Sequence, residues 1–189
     1  MQKRHRVFIA INLPEDIKKA LSKYGEKFAE LPAKWITKDN LHVTLVFLGD
    51  LTDQEIVDVC SIVGEVARLH SSLSVNLNKV LYGPTNKMPP KMVWAEGEKS
   101  EELAELKNDL QEELLEAVNF RPEKKGFTPH VTLARIKEWE FKKIEPEERP
   151  EVNENIDLVF TVESIEVMES VLKKGGPVYG ILESRELKD

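Results

Sequence analysis

The tetrapeptide His-Val-Thr-Leu occurs twice, as His42-Val43-Thr44-Leu45 and as His130-Val131-Thr132-Leu133. Each copy alternates polar and apolar residues and is flanked by β-formers, so each reads as a strand whose histidine and threonine share one face. Those two side chains then lie about 7 Å apart while the Val and Leu between and after them enter a core. Given 41% apolar residues and seven threonines among 189, a histidine is followed by apolar-Thr-apolar with a chance probability of roughly 0.006. Two matches among four histidines have a chance of roughly one in several thousand. A fold for this chain must therefore place two equivalent strands in two related halves.

The rest of the chain fits that requirement. Residues 6–12, RVFIAIN, read as a buried strand, and Pro14 opens a helical stretch with Ile17, Ala20, Leu21, Tyr24 and Phe28 on one face. Residues 41–48 form the first motif strand. Thr52 and Glu55 make a capping-box signature before Ile56, Val59, Cys60, Val63 and Val66, and residues 73–81 read as a strand. The turn-rich stretch between Gly83-Pro84 and Pro89-Pro90 marks the boundary between halves. Beyond it, residues 91–95 read as a strand, Leu103, Leu106, Leu110, Leu114 and Ala117 as a helical stripe, and residues 129–136 as the second motif strand. Residues 137–156 are rich in Lys, Glu and Pro and read as an exposed connection; 158–168 and 178–182 supply two last strands around Gly175-Gly176. Tight turns among the connections favour antiparallel pairing.

The expected fold class is α+β, with two pseudo-symmetric lobes, each a mainly antiparallel sheet with helices outside, around a central cleft. The expected organisation is one bilobal domain over residues 1–189, with lobes of about 1–85 and 86–189 that can exchange strands.

Composition narrows the function classes. The net charge of −7 argues against wrapping a long nucleic acid, which takes many Lys and Arg on phosphates, but is compatible with gripping one phosphate. The basic groups Lys124-Lys125, Lys142-Lys143 and Lys173-Lys174 read by default as solvated surface. Cys60 is the only cysteine, which rules out an intrachain disulfide and a thiolate cluster. No apolar run reaches the roughly 18 residues that cross a bilayer, and the first residues lack a long apolar leader, so the expected location is the cytoplasm.

If the two halves face each other by a pseudo-two-fold, the two His-x-Thr edges converge on one cleft, an arrangement that suits a phosphodiester. One neutral imidazole accepts a proton from water while the other, charged, protonates the leaving ribose oxygen, since histidine titrates near neutrality. The hydroxyls of Thr44 and Thr132 can donate to the non-bridging phosphate oxygens. A lone histidine on a strand is more often a partner in a local hydrogen bond; two in matching contexts reverse that reading. Two histidines without further His or carboxylates fall short of the three or four ligands of a metal site. His5 and His70 lie outside the motif and read as structural or surface residues.

On these residues the sequence resembles the 2H phosphoesterase superfamily, and within it the RNA 2′,3′-cyclic phosphodiesterases long called 2′-5′ RNA ligases. The resemblance spans nearly the whole chain: RVFIAINLP, the stretch from Trp35 through LHVTLVFLGD, the longer signature FTPHVTLAR, and ESVLKKGGPVYGIL. It implies a two-lobed α+β fold, no metal, no cofactor, and hydrolysis of a cyclic phosphate to a 2′-phosphomonoester. His42 would be the proton donor and His130 the proton acceptor; by microscopic reversibility the same groups can join such an end to a hydroxyl. The resemblance also puts a phosphate-binding arginine at Arg135, although strict alternation sends Arg135 to the face opposite His130 and Thr132. Trp35 and Phe127 are candidate stacking partners for a terminal base. The chain departs from many relatives at Val46, where they carry a basic residue. The implied partners are RNA ends bearing a 2′,3′-cyclic phosphate, tRNA-derived ends among them, with no membrane, and the expected state is a monomer. Two other readings stay open: a module that binds RNA ends or nucleotides without turnover, and a phosphodiesterase for a small cyclic nucleotide or an ADP-ribose cyclic phosphate.

Overall fold

Nine strands and five helices make up the described part of the chain, residues 3–84, 87–123 and 126–189 of a computed structural model. In chain order they are β1 (His5–Asn12), α1 (Glu15–Ser22), α2 (Tyr24–Lys27), β2 (Ala33–Trp35), β3 (His42–Leu51), α3 (Asp53–Ala67), β4 (Leu73–Gly83) and β5 (Met92–Gly97). They continue with α4 (Glu101–Ala117), β6 (His130–Ile136), α5 (Glu138–Phe141), β7 (Asn153–Val162), β8 (Ser164–Lys173) and β9 (Gly176–Glu186). The protein is α+β. The basic pair Lys124-Lys125 lies outside the described residues.

Local chemistry sets the element ends. Thr52 closes the start of α3 with the expected capping box: its hydroxyl accepts from the Glu55 backbone N–H, and the Glu55 carboxylate accepts from the Thr52 N–H. Ser100 caps α4 by accepting from the Leu103 N–H. The helical stretch expected from Pro14 through Phe28 is two helices, α1 and α2, that meet at Lys23.

All strand pairs within the sheet are antiparallel, in the order β7-β4-β5-β6-β3-β1-β8-β9, and β2 pairs with the end of β6 that β3 leaves free. The sheet curls into a half-barrel. Its two halves, one around β1 and β3 and the other around β5 and β6, are joined through a single residue pair, Val43 opposite Val131. That pair is the middle of the two His-Val-Thr motifs.

The segment around Pro84–Pro90 joins β4 to β5 within one antiparallel pair, so a cut near residue 85 divides a hairpin rather than two halves. The chain changes half elsewhere. The single strand expected over residues 158–168 is two strands separated by Glu163: β7 pairs with β4 in one half, and β8 pairs with β1 in the other. The stretch 137–156, expected as an exposed connection, contains α5, a 3₁₀ turn at Pro146–Glu148 and the start of β7, with Phe141 and Val152 buried.

One face of the sheet carries the main core. Val7, Ile9 and Ile11 of β1, Val43 and Leu45 of β3, and Val131 and Leu133 of β6 pack with Val59 and Val63 of α3 and with Leu103, Leu106, Leu110 and Leu114 of α4. The other face carries a small separate cluster of Phe8, Ala10 and Met168 with Tyr179 against it. His5 is held between Glu169 and Asp53, and His70 bonds Asp109 of α4 at 2.8 Å, so both tie elements together away from the two tetrapeptides. Among the described residues no helix is long and apolar enough to cross a membrane, and no group of three or more His, Cys, Asp and Glu is placed to hold a metal ion.

Candidate active site

The two motif strands repeat each other beyond the tetrapeptide. In both, the histidine and threonine alternate with two fully buried apolar residues, and a further buried residue follows, Val46 in β3 and Ala134 in β6. Two consecutive buried residues break the alternation, and the strand register shows why. Pairing steps from Ala10↔Thr44 to Ile9↔Val46 in one half and from Trp94↔Thr132 to Val93↔Ala134 in the other. Leu45 and Leu133 are thus the extra residues of two equivalent β-bulges. After each bulge the next side chain returns to the histidine face: Phe47 in β3 and Arg135 in β6. Strict alternation had sent Arg135 to the opposite face; one inserted residue restores it. Val46 is 3% exposed and belongs to the core.

Because Val43 and Val131 are paired and both point into the core, His42, Thr44, His130 and Thr132 lie on one and the same sheet face. The strands meet only at that pair, so each half sets its own His-x-Thr edge and the seam aligns them.

Both rings are oriented alike. His42 Nδ1 donates to the Asn40 carbonyl at 2.7 Å, and His130 Nδ1 donates to the Thr128 carbonyl at 3.1 Å, in each case two residues upstream. A carbonyl only accepts, so Nδ1 carries the hydrogen and Nε2 is the nitrogen left for proton transfer. His42 Nε2 lies 2.9 Å from the Thr44 hydroxyl, which donates to it in the neutral ring. Among the described residues the Thr132 hydroxyl has only a weak contact, 4.0 Å to Met92 Sδ.

The surroundings of the two rings differ. His42 sits against Phe8, with ring centroids 5.0 Å apart, and meets the edge of Tyr179 at 5.1 Å. Burial there holds His42 below its ordinary value of 6.5; the bond to the Asn40 carbonyl opposes this, and the charges of Lys18 and His130 add to it. His130 lies flat on Trp94, centroids 4.2 Å apart with 26° between planes. The indole rests directly on Gly83, where any Cβ would collide with it.

The β8–β9 hairpin completes the His42 side. Asn40 Nδ2 donates to the Pro177 carbonyl at 2.8 Å, and the Tyr179 N–H donates to Asn40 Oδ1 at 3.3 Å. At the hairpin tip, Lys34 Nζ of β2 donates to the Gly175 carbonyl at 2.8 Å. Lys34 faces Arg135 across the β2–β6 pair, so the two cations share the site face.

The other two residues proposed for substrate contact have partners elsewhere. Trp35 packs over Gly25 of α2, and the Phe127 ring lies under Lys107 Nζ at 5.3 Å. Phe8, Phe47, Trp94 and Tyr179, which line the histidine face, carry no signal in the tetrapeptide itself. The β1–β3 and β5–β6 registers bring in the first three, and a hairpin 137 residues downstream of His42 brings in Tyr179.

This architecture and the duplicated motif place the chain in a family. A family model described as the 2′-5′ RNA ligase superfamily matches residues 13–173, and the chain belongs to that superfamily. A Thermus thermophilus protein named RNA 2′,3′-cyclic phosphodiesterase is 34% identical over 189 residues, covering 97% of this chain and 90% of its own. One of the same name from Thermotoga maritima is 31% identical over 182 residues, covering 94% and 92%. Among solved structures, TT0787 of Thermus thermophilus superposes with a TM-score of 0.82 at 31% identity, over 97% of this chain and 98% of that one. E. coli LigT complexed with 3′-AMP shares the fold, with a TM-score of 0.78 at 22% identity over 99% of this chain and 100% of its own.

Proposed function

We propose that this chain hydrolyses the 2′,3′-cyclic phosphate at RNA ends to a 2′-phosphomonoester by paired imidazole catalysis. The observation that carries this reading is the Val43–Val131 pair, which aligns two His-x-Thr edges on one face with both Nδ1 atoms held by carbonyls. Relatives at 31% and 34% identity bear the name of that activity.

In the proposed reaction His130 Nε2 takes a proton from water as its oxygen attacks phosphorus. The bond from phosphorus to the 3′ oxygen breaks, and His42 Nε2 gives that oxygen its proton. The product keeps the phosphate on the 2′ oxygen, and the proton taken by His130 returns to His42 through solvent. An arriving phosphate anion favours the charged form of His42 and offsets the effect of its burial. Thr44 and Thr132 turn their hydroxyls to the non-bridging oxygens, and Arg135 supplies a positive charge. An RNA hydroxyl in place of water gives 2′-5′ ligation with the same groups.

The test uses an RNA oligomer ending in a 2′,3′-cyclic phosphate, incubated with the protein in EDTA, with product identification. A 2′-phosphate is expected from wild type, and a loss of about 10²- to 10⁴-fold in rate from His42→Ala and from His130→Ala. Turnover that survives both substitutions would sink the mechanism. Binding of the oligomer without turnover by wild type would leave a binding module instead.

A further inference from the structure

Asn40 is bound at both ends. Its backbone carbonyl accepts from His42 Nδ1 at 2.7 Å, while its side chain is gripped by β9: Nδ2 donates to the Pro177 carbonyl at 2.8 Å and Oδ1 accepts from the Tyr179 N–H at 3.3 Å. The residue ends a 3₁₀ turn, Lys38–Asn40, whose own hydrogen bonds fall on the Thr37 and Lys38 carbonyls. Those bonds leave the direction of the Asn40 carbonyl to be set from outside the turn. What grips the side chain comes from far along the chain. Strand β8 pairs with β1 only as far as Ser170, and beyond it β8 and β9 pair with each other up to Lys173 and Gly176. This end of the hairpin lies over the histidine face, with the Tyr179 ring against both Phe8 and His42. The other half is built differently. The Thr128 carbonyl that holds His130 is followed by Pro129, whose own carbonyl accepts from the Gly97 N–H at 2.8 Å, a bond between backbone segments.

We propose that Asn40 is a positioning residue for His42, through which the β8–β9 hairpin aims the carbonyl that holds Nδ1. This rests on the phosphodiesterase reading, in which His42 Nε2 carries the proton given to the leaving oxygen. A carbonyl in line with Nδ1 has two effects. It keeps a hydrogen on Nδ1, so that the lone pair of the neutral ring lies on Nε2, and it favours the charged ring. The second effect matters because the surroundings oppose that charge: burial first, then Lys18 of α1 and His130 of β6. The other titratable groups about this site are the Tyr179 phenol of β9 and Glu166 of β8, whose carboxylate accepts from the N–H of Asn12, the β1 residue opposite His42.

Asn40→Ala removes both bonds to β9 and leaves the carbonyl present but no longer held in line. The charged form of His42 then loses support and its pKa falls further, so less of it is charged at neutral pH and above. With an RNA oligomer ending in a 2′,3′-cyclic phosphate, kcat/KM is expected to fall about tenfold at pH 8, the equivalent of about one pH unit. The deficit should narrow as pH is lowered toward 4.5, where the ring becomes charged in both proteins. Asn40→Gln, which moves the carboxamide outward by one methylene, carries the same expectation should the alanine variant fail to fold. Thr52→Ala, at the start of α3, loses a cap remote from the site and should keep the wild-type pH profile.

A deficit equal at every pH, as a merely structural role would give, or no deficit, would overturn the positioning role. Nitrogen-15 spectra of the imidazole rings supply a readout that needs no turnover. Wild-type His42 is expected as the Nδ1–H tautomer at pH 8, and the Asn40 variants as a mixture of tautomers with a lower titration midpoint. If wild type turns over no cyclic phosphate, the phosphodiesterase reading fails separately. An unchanged tautomer and midpoint in the variants overturns the role of Asn40 in either case.

Discussion

Val43→Ala and Val131→Ala probe the one residue pair that joins the halves of the sheet. Both side chains are fully buried, face each other across β3 and β6, and point to the same side of the sheet. Each substitution removes two methyl groups, worth about 0.8 kcal/mol each in transfer from water, or roughly 1.6 kcal/mol. The cavity left in a core that cannot fully collapse brings each single variant to about 2–3 kcal/mol. For a chain of this length that is a Tm lower by roughly 5–10 °C. The double variant is expected to cost less than the sum, because each truncation already removes part of what the other side chain packs against. Guanidinium unfolding of wild type, both singles and the double gives the coupling directly, and about 0.5–1.5 kcal/mol is expected. Additivity to within roughly 0.3 kcal/mol would refute the reasoning, since it would mean that the two side chains do not pack against each other across the seam.

Two further outcomes follow from the geometry. Burial lowers the native pKa of His42, so the unfolded chain takes up this proton first as pH falls. The stability contribution is whole above about 6.5, the unfolded value, and is lost progressively below it; urea unfolding from pH 7.5 to 5 should show that loss and His42→Asn should flatten it. Thr52→Ala removes the hydroxyl that accepts the Glu55 N–H and should cost about 1 kcal/mol with activity unchanged, as measured by thermal unfolding and turnover.

The duplicated tetrapeptide made the two motif strands legible, and with them the shared face of each histidine and threonine. The α3 cap was legible too, because Thr52 and Glu55 bond within one turn. What the sequence hid was set at longer range or by a single extra residue. Neither Leu45 nor Leu133 looks like a bulge: both are apolar residues in apolar strands, and only pairing with β1 and β5 shows that they have no opposite number. The positions of Arg135 and Phe47 depended on that. Glu163, between β7 and β8, is neither glycine nor proline, so nothing local announced that the chain passes there from one half to the other. Tyr179 reaches His42 only through the return of β9 beside β8, which no spacing near the motif encodes.

The late position of that hairpin has a consequence for biosynthesis. His42 is made 137 residues before the tyrosine that closes its edge, an interval of roughly 7–30 s at ordinary elongation rates. Through that interval β1 lacks its neighbour β8, and the Asn40 side chain lacks the Pro177 carbonyl and the Tyr179 N–H that it bonds in the finished protein. A nascent chain still on the ribosome, surrounded by RNA, therefore carries the first motif without its completed surroundings, and that edge matures only as the last strands emerge.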